Sequence, residues 1–376
     1  MVRDCIVKQY PAKGATNEPF PNRVTLAPLE AARRTVEATT QMAVRDFSNA
    51  SGSRRLKPYA SLLKWKRLAE DLYTDTMFAK CKSLRGNTCS QIYASPFHWV
   101  WARPMKRKNE AHYTLDELFS RVGVPRAIIP DNAKELTEGD FLKKCRKAQC
   151  RVLPIEAYTS NANLCEGDIR EAKRQLRRVM IAKGIPEVLW DWVLEWVCMT
   201  RSNTALNIRS LEGRTPATKM CGDTCDISHL AEFGIYDWVW YTSPQGTPGT
   251  RNDMQRRRLG RYLGPSDNVG PAMCGTVLTE KATWIDRTSI FPLSVEDENS
   301  VPVTKQKMIF EEILKEKLKE KIKGLETGKD DAPFHQDKDE QTVNDQLKKT
   351  PTTVEYEPWS LEAPGYRPAL DTIAED

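Results

Sequence analysis

This 376-residue sequence lacks a long apolar run, and its start does not look like a secretory signal. No stretch of 18 or more residues is continuously apolar, and the best candidate, residues 188–199, is interrupted by Asp191 and Glu195. The first residues, MVRDCIVKQYPAKG, do not combine a basic segment with a following apolar one. We therefore predict neither a membrane span nor a cleaved secretory signal.

Histidine is scarce and the cysteines form no recognisable framework. There are 4 histidines and 10 cysteines, and the close cysteine pairs are Cys81/Cys89, Cys145/Cys150 and Cys221/Cys225. None of these pairs has the spacing, followed by further Cys or His partners, that a zinc site needs. Without a secretory signal, reduced and buried thiols are the expected state of the cysteines. The sequence therefore argues against a zinc module and against a disulfide scaffold.

Positive charge is concentrated in the first 300 residues. The formal net charge is +6, but residues 301–376 carry 12 Lys/Arg against 17 Asp/Glu, so the preceding part has a net charge of +11. A basic body with an acidic tail fits a polyanionic partner such as nucleic acid. A well-solvated surface explains the same balance equally well, so charge alone leaves both interpretations open.

The hydrophobic pattern predicts an α/β core with a mixed sheet. Three strands are expected first, followed by helices that alternate with two short strands. The predicted strands are residues 72–80, 88–94, 97–103, 127–130 and 150–154, and the predicted helices are residues 109–121, 138–147, 164–183 and 186–205. This order is typical of an RNase H-like fold, in which a five-stranded mixed sheet has helices packed on it.

The remaining sequence divides the chain into four regions. We expect an irregular segment with one helical stretch (residues 29–46) over residues 1–66, the core over 67–210, and a small β-rich, SH3-like barrel of four or five strands over 226–295. Residues 300–376 are predicted to hold a charged helix (309–325) and a disordered tail. A solvated helix is favoured over one that docks on a partner, because no core segment adjoins it in the sequence.

Three acidic residues occupy positions suited to a metal site. Asp75 lies within a predicted strand, Asp131 directly follows the apolar strand AIIP, and Glu166 begins the long helix. Ligand sites in α/β sheets form at the carboxyl ends of strands, and carboxylate oxygens suit Mg²⁺. Taken singly, each is better explained as a turn residue, a helix cap or an edge-strand charge. The combination in this strand order favours the metal site.

Several motifs resemble the integrase region of Ty1/copia-type retrotransposon polyproteins, in particular the copia-like elements of diatoms and related algae. The resemblance spans about residues 60–295, and the matching motifs are YTDTMFAKCKSLRGNTCSQIYAS, GVPRAIIPDNAKELT, CRVLPIEAYTSNANLCEGDIREAKR, TRSNTALNIRSLEGRTPATKMCGDTCDISHLAEFGIYDWV and GRYLGPSDNVGPAMCGTVLT. Such a chain is expected to be a fragment of a longer polyprotein, without a visible N-terminal zinc module or a reverse transcriptase signature.

The resemblance implies joining of element DNA to a target by phosphoryl transfer with two Mg²⁺ or Mn²⁺ ions. The acidic triad of the family corresponds to Asp75, Asp131 and Glu166, which would be both catalytic residues and metal ligands, with Asn132, Lys134 and Asn163 in support. DNA is the implied partner and a homo-oligomer is left open, without a membrane or a small-molecule cofactor. A working integrase of this kind would act in the nucleus.

The helix that begins near Glu166 carries a basic face. Its cations at helical spacing are Arg170, Lys173, Arg174, Arg177 and Arg178. We predict that Arg170, Lys173, Arg174 and Arg177 hold DNA phosphates, with a solvated face paired to Asp168 and Glu171 as the alternative. A second basic run, residues 256–258, either binds backbone phosphates or solubilises a loop. Trp192 and Trp196, at i and i+4, are expected to pack in a core.

One departure from the family pattern keeps other functions open. Ser160, Asn161 and Ala162 stand where the family usually has a Pro-Trp-Gln-like stretch, while Asn163 is retained. An inactive DNA-binding remnant is therefore the main alternative to an active transferase. A third hypothesis, an RNase H-class nuclease, would need a fourth acidic ligand, for which Asp168 is the nearby candidate.

Overall fold

A mixed five-stranded sheet forms the centre of the core region. The computed structural model describes residues 29–40, 66–131, 133–155, 164–242, 257–266, 269 and 273–326. All of them belong to one compact unit, residues 1–331, and the predicted disordered tail lies outside the described residues. The strands are β1 (Leu72–Phe78), β2 (Cys89–Ala94), β3 (Val100–Met105), β4 (Ala127–Pro130) and β5 (Arg151–Val152).

The strand order and directions are those of the RNase H-like fold. The spatial order is β3-β2-β1-β4-β5, with β2 antiparallel to both β1 and β3. Strand β4 lies between β1 and β5 and is parallel to both of them. The predicted mixed sheet with flanking helices is therefore confirmed. The parallel pairing of β1 with β4 brings the end of β4, which Asp131 follows, next to the middle of β1, which carries Asp75.

Helices cover both faces of the sheet. One face packs against α2 (Ala111–Arg121) and α4 (Gly139–Lys147), and the other against α5 (Leu164–Lys183) and α6 (Trp190–Asn203). Each of these helices has apolar residues at helical spacing on the side that faces the sheet. Burial of this apolar stripe stabilises the helix. The shorter helices are α1 (Leu29–Ala38), α3 (Lys134–Thr137), α7 (Pro216–Cys221) and α8 (Ser228–Ala231).

The connection into β4 depends on a glycine. Gly123 has φ +132°, and a Cβ atom there would lie 2.7 Å from the carbonyl oxygen of Lys66. The next residue, Val124, donates its N–H to that same carbonyl at 2.8 Å, and its own carbonyl accepts from the N–H of Leu68 at 2.9 Å. Any side chain at position 123 would therefore push apart two segments that must be adjacent.

Past the core, a second five-stranded sheet confirms the predicted β-rich region. Each of its five strands is antiparallel to its neighbours; the last strand in the sequence lies at one edge of the sheet, and the other four follow across it in sequence order. Aromatic pairs join the sheet to α6, because Trp196 lies edge-on to Tyr262 at 6.0 Å and Trp192 edge-on to Trp284 at 5.2 Å between ring centroids. Trp192 and Trp196 are buried, as predicted. The bounds are β6 (Trp238–Thr242), β7 (Arg257–Pro265), β8 (Gly275–Leu278), β9 (Trp284–Arg287) and β10 (Ile290–Pro292).

The charged helix is not a solvated one, so this prediction was wrong. After the short α9 (Val295–Asn299), α10 extends over Val301–Glu326, and its apolar residues Phe310, Leu314 and Leu318 are buried in the core shared with the second sheet. Phe310 lies edge-on to Trp238, with ring centroids 5.1 Å apart. Glu311 accepts from Arg261 at 2.6 Å. The helix docks on strands far from it in the sequence.

Several boundaries differ from the predicted ones for local reasons. Strand β3 begins at Val100 rather than at 97, because His98 has φ 63°, a left-handed conformation that interrupts the extended chain. A 3₁₀ turn, Glu187–Leu189, precedes α6. The predicted helix at 29–46 is described only as Leu29–Ala38 and residues 41–46 lie outside the described part. Within that part no helix is long and apolar enough to cross a membrane.

Candidate active site

Asp75 is a carboxylate at the centre of β1, on the face that α5 covers. Its neighbours on the same face, Tyr73 and Met77, pack in the core beneath α5 and α6. Alternation along the strand turns Thr74 and Thr76 to the opposite face, where both hydroxyls bond to Gln91 at 2.7 and 2.8 Å. Asp75 itself is half-buried and accepts the N–H of Thr76 at 2.6 Å. The strand therefore holds one charged group in an otherwise apolar surface.

Asp131 lies beside Asp75 because β1 and β4 are parallel neighbours. The register pairs Thr74 with Pro130, so the residue that follows each of them reaches the same level of the sheet. Burial raises the pKa of Asp75, and the negative charge of Asp131 raises it further. The hydrogen bond from Thr76 and the ammonium groups of Lys173 and Lys108 act in the opposite direction. Two predicted catalytic carboxylates are thus brought together where β4 ends beside the middle of β1.

Glu166 is held apart from this pair. It lies in the first turn of α5, is exposed, and accepts from Arg170 at 3.3 Å. The α5 residue whose charge acts on Asp75 is Lys173, seven positions and about 10 Å along the helix axis from Glu166. In the part of the chain that the structure describes, no group of three or more His, Cys, Asp or Glu side chains is placed to hold a metal ion. Of the predicted triad, the structure therefore brings together Asp75 and Asp131 but not Glu166.

The three predicted supporting residues are only partly visible. Asn132 and Asn163 lie outside the described residues. Lys134 begins α3 next to the carboxylates and is exposed. Its neighbour Glu135 forms an ion pair with Lys108, which also acts on Asp75. Lys108 was not singled out in the sequence, although it belongs to the basic run Lys106-Arg107-Lys108 that directly follows β3.

The predicted basic face of α5 is present. The helix buries Ile169, Ala172 and Val179 against the sheet, which leaves its cations on the outer and lateral sides. Arg170 and Arg174 are exposed, each paired with a glutamate of its own helix, and Lys173 and Arg177 are half-buried. Since Lys173 acts on Asp75, the basic face begins at the carboxylate pair and continues outward. DNA binding by Arg170, Lys173, Arg174 and Arg177 stays a prediction.

Asp168 belongs to a different cluster. It is only 4% exposed, and its Oδ1 atom lies 2.9 Å from Nη2 of Arg201 and 3.0 Å from Nδ1 of His98. These contacts join α5 to α6 and to the β2–β3 turn. In this structure Asp168 therefore does not supply a fourth carboxylate next to Asp75, and the RNase H-class nuclease has no observation in its favour.

A buried ionic network fixes α6 on the sheet. Arg85, in the β1–β2 loop, donates to Asp191 at 2.7 Å and to Glu195 at 2.6 Å. Asn87 also donates to Asp191 at 2.8 Å, and Arg103 of β3 donates to Glu195 at 3.0 Å. Burial raises the pKa of Glu195 although both guanidinium groups lower it. The two acids that interrupt the apolar run at 188–199 therefore serve as partners for these arginines.

Comparison with known proteins found similarity among solved structures but not among sequences. No protein-family model matches the chain, and no curated protein sequence matches it either. Among solved structures, the simian T-cell lymphotropic virus intasome in complex with the PP2A regulatory subunit B56 gamma is 15% identical, with a TM-score of 0.32 over 58% of this chain and 80% of the other.

Two catalytic core domains are similar to the same degree. The HTLV-2 integrase catalytic core in complex with magnesium, in its trimeric form, is 16% identical, with a TM-score of 0.32, over 40% of this chain and 95% of the other. The catalytic core domain of BIV integrase is 14% identical, with a TM-score of 0.31, over 40% and 92%. The Ty1/copia type and the algal kind of element stay predictions.

Proposed function

We propose that this chain is an integrase-like polynucleotidyl transferase that binds DNA and joins element ends to target DNA. The observation that carries the proposal is the carboxylate pair on neighbouring parallel strands of an RNase H-like sheet, with Asp75 in the middle of β1 and Asp131 directly after β4. The basic side of α5 includes Lys173, whose positive charge lowers the pKa of Asp75. A polyanionic substrate that reaches the carboxylates would therefore meet cations first.

The carboxylate pair fits a divalent cation. Asp75 is half-buried and its pKa is raised, first by burial and then by the charge of Asp131, so the site carries repulsion that a bound cation would offset. Asp75 and Asp131 offer the oxygen ligands that Mg²⁺ and Mn²⁺ accept. Two such ions, when bound, would activate an attacking oxygen and stabilise a leaving oxygen.

Glu166 would complete the ligand set by leaving its partner Arg170. That ion pair is exposed, and exposed pairs at i and i+4 contribute only about 0.3–0.5 kcal/mol. Arg170, released from Glu166, would then contact phosphates along the DNA strand that enters the site, together with Lys173. In this proposal the chain itself contributes the orientation of the carboxylates by β1 and β4 and the neutralisation of phosphates by α5.

A strand-transfer assay tests the proposal. Duplex oligonucleotides with recessed 3′-hydroxyl ends are incubated with supercoiled plasmid in Mg²⁺ or Mn²⁺, and joined products are counted. We expect joining by the full chain and a loss of at least 100-fold in Asp131→Asn. The control Asp140→Asn changes an exposed acid on α4, whose partner is Lys143, and should join at the unaltered rate. Equal joining by Asp131→Asn and the full chain contradicts the proposal.

An inactive DNA-binding remnant is the second candidate, and the pairing of Glu166 with Arg170 favours it. This candidate predicts salt-dependent DNA binding with a multi-phosphate slope. It also predicts that Asp75→Asn and Asp131→Asn bind DNA as well as the unaltered chain and that no joined product forms in either metal. A homo-oligomer and a retrotransposon origin stay proposals for both candidates, and action in the nucleus stays a proposal for the active form.

A further inference from the structure

A second basic segment borders the carboxylate pair on the side of β3. Lys106, Arg107 and Lys108 follow β3 without interruption, and all three are exposed. They belong neither to α5 nor to the second sheet. The motif is therefore a separate source of positive charge at the edge of the core sheet.

The strand register places this segment next to an exposed aromatic ring. Phe78 pairs with Cys89, and Cys89 pairs with Met105, so the three residues form one row across β1, β2 and β3. Lys106 is the next residue after this row. Phe78, the last residue of β1, is 47% exposed, whereas Cys89 and Met105 are buried. The row thus has a solvent-facing ring at its β1 end and continues into three cations at its β3 end, one of which, Lys108, reaches the ring.

Hydrogen bonds fix the backbone of the basic segment. The N–H of Thr88 donates to the carbonyl of Met105 at 3.0 Å, and its hydroxyl donates to the carbonyl of Lys106 at 2.7 Å. The N–H of Lys106 donates to Glu110 at 3.1 Å, and a 3₁₀ turn, Lys108–Glu110, follows. The cationic side chains therefore project from an anchored backbone, which lowers the ordering cost of ligand binding.

Lys108 connects this segment to the carboxylates. Its ammonium group lies 6.0 Å from the ring centroid of Phe78, forms an ion pair with Glu135 of α3, and lowers the pKa of Asp75. Lys173 acts on the same carboxylate from α5. Two cations from separate elements, one on α5 and one after β3, therefore act on Asp75.

We propose that Phe78, Lys106, Arg107 and Lys108, here called the β3 rim, bind a single-stranded segment of DNA next to the reacting end. Exposed aromatic rings among cations suit single strands, because an unpaired base can stack on the ring while the cations hold its phosphates. Bases within a duplex are already stacked, so Phe78 would add nothing to the binding of blunt DNA. This proposal rests on the proposed function, since it deepens the substrate class of the same site.

The test compares two DNA substrates by equilibrium binding of the full chain without metal, so it does not depend on catalysis. One is a blunt duplex and the other is the same duplex with a five-nucleotide single-stranded overhang. We expect the overhang to bind more tightly than the blunt duplex. Phe78→Leu should lower the affinity for the overhang by at least about fivefold, because base–aromatic stacking contributes at least that much per base. The affinity for the blunt duplex should not change.

A matched aromatic control is available on α2. Tyr113 is also exposed and also has a lysine over its ring, with Lys144 Nζ at 4.8 Å from the centroid. Tyr113→Leu should leave both affinities unchanged. Equal binding of the overhang by Phe78→Leu and the unaltered chain, or an equal loss on both substrates, overturns the proposal. Thermal melting of each variant separates loss of the contact from loss of the fold.

The cations of the rim provide an independent readout. The double variant Lys106→Gln/Arg107→Gln should change how the affinity for the overhang depends on salt. The slope of log affinity against log salt should become shallower by about 0.7 per lost phosphate contact. The control Arg146→Gln/Lys147→Gln removes two exposed cations near the end of α4 and should change this slope less. Equal effects of the two double variants contradict a specific rim. An inactive transferase that still shows the overhang preference would refute the proposed function and leave the rim intact.

Discussion

Asp168 of α5 and Arg201 of α6 form a buried ion pair, with Oδ1 and Nη2 2.9 Å apart. Removing one partner leaves the other charge buried without its counter-ion, which costs about 3–5 kcal/mol. We therefore expect Arg201→Met to lower the free energy of unfolding by several kcal/mol in urea titrations. The control Arg174→Gln breaks an exposed pair with Glu171 on the same helix and should change it by less than about 1 kcal/mol. A small effect of Arg201→Met would show that the pair contributes little to the packing of α5 on α6.

The stability of the protein should depend on pH through Asp75. Its pKa in the folded state is raised, so between its ordinary value and the raised value the folded state binds more protons than the unfolded state. The contribution of Asp75 to stability is therefore present below the ordinary pKa and is lost as the pH rises through the raised one. We expect Asp75→Asn to be more stable than the unaltered chain at pH 7 and not at pH 3.5. The measurement is thermal unfolding at both values without metal, and a less stable variant at pH 7 would contradict the burial argument.

Divalent cations should stabilise the folded chain through the same two carboxylates. A ligand that binds only the folded state at ten times its Kd contributes about 1.4 kcal/mol, which raises Tm by a few degrees. Mg²⁺ or Mn²⁺ should raise the Tm of the unaltered chain and of Asp140→Asn. The increase should disappear in Asp75→Asn and in Asp131→Asn. A metal-dependent increase that persists in both variants would place the ion elsewhere.

DNA binding should depend on the exposed cations of α5. Arg170→Gln/Arg174→Gln removes two side chains that are more than half exposed, so the fold should be unaffected. If both contact duplex phosphates, the slope of log affinity against log salt becomes shallower by about 1.8. Fluorescence anisotropy at several salt concentrations measures the slope. A slope equal to that of the unaltered chain would show that these two arginines only pair with Glu166 and Glu171.

The docking of α10 on the second sheet gives a further prediction. Leu314 is fully buried, so Leu314→Ala should lower the free energy of unfolding by about 2–5 kcal/mol. Met308 of the same helix is 61% exposed, and Met308→Ala should have little effect. Urea titrations of the two variants separate a docked helix from a solvated one. Equal and small effects would restore the solvated helix that the sequence suggested.

The sequence predicts the core sheet well because local patterns and strand order determine it. Apolar strands that alternate with amphipathic helices leave few ways of pairing β1, β2, β3, β4 and β5. The placement of Asp75 next to Asp131 follows from the parallel pairing of β1 with β4, which the structure shows. The start of β3 could not be predicted, because the left-handed conformation of His98 has no marker such as glycine.

Other features depend on partners that are distant in the sequence. The sequence identifies Glu166 as an acid in the first turn of a helix. It does not show that Glu166 pairs with Arg170 rather than joining Asp75 and Asp131. The sequence left Asp168 as a candidate fourth ligand, because its partners Arg201 and His98 are 33 and 70 residues away and no local pattern connects them. The docking of α10 needs Trp238 and Arg261 of the second sheet, which no local pattern connects to Phe310 or Glu311.

The claim that Asp131 is a metal ligand of a transferase is tested most directly by exchanging its ligand atoms. A cysteine thiolate is a softer ligand than a carboxylate and favours Mn²⁺ over Mg²⁺. We expect Asp131→Cys to join DNA ends to plasmid at least 100-fold more slowly than the unaltered chain in Mg²⁺ and to recover part of this loss in Mn²⁺. Joining by Asp131→Cys in Mg²⁺ at the rate of the unaltered chain would contradict the account.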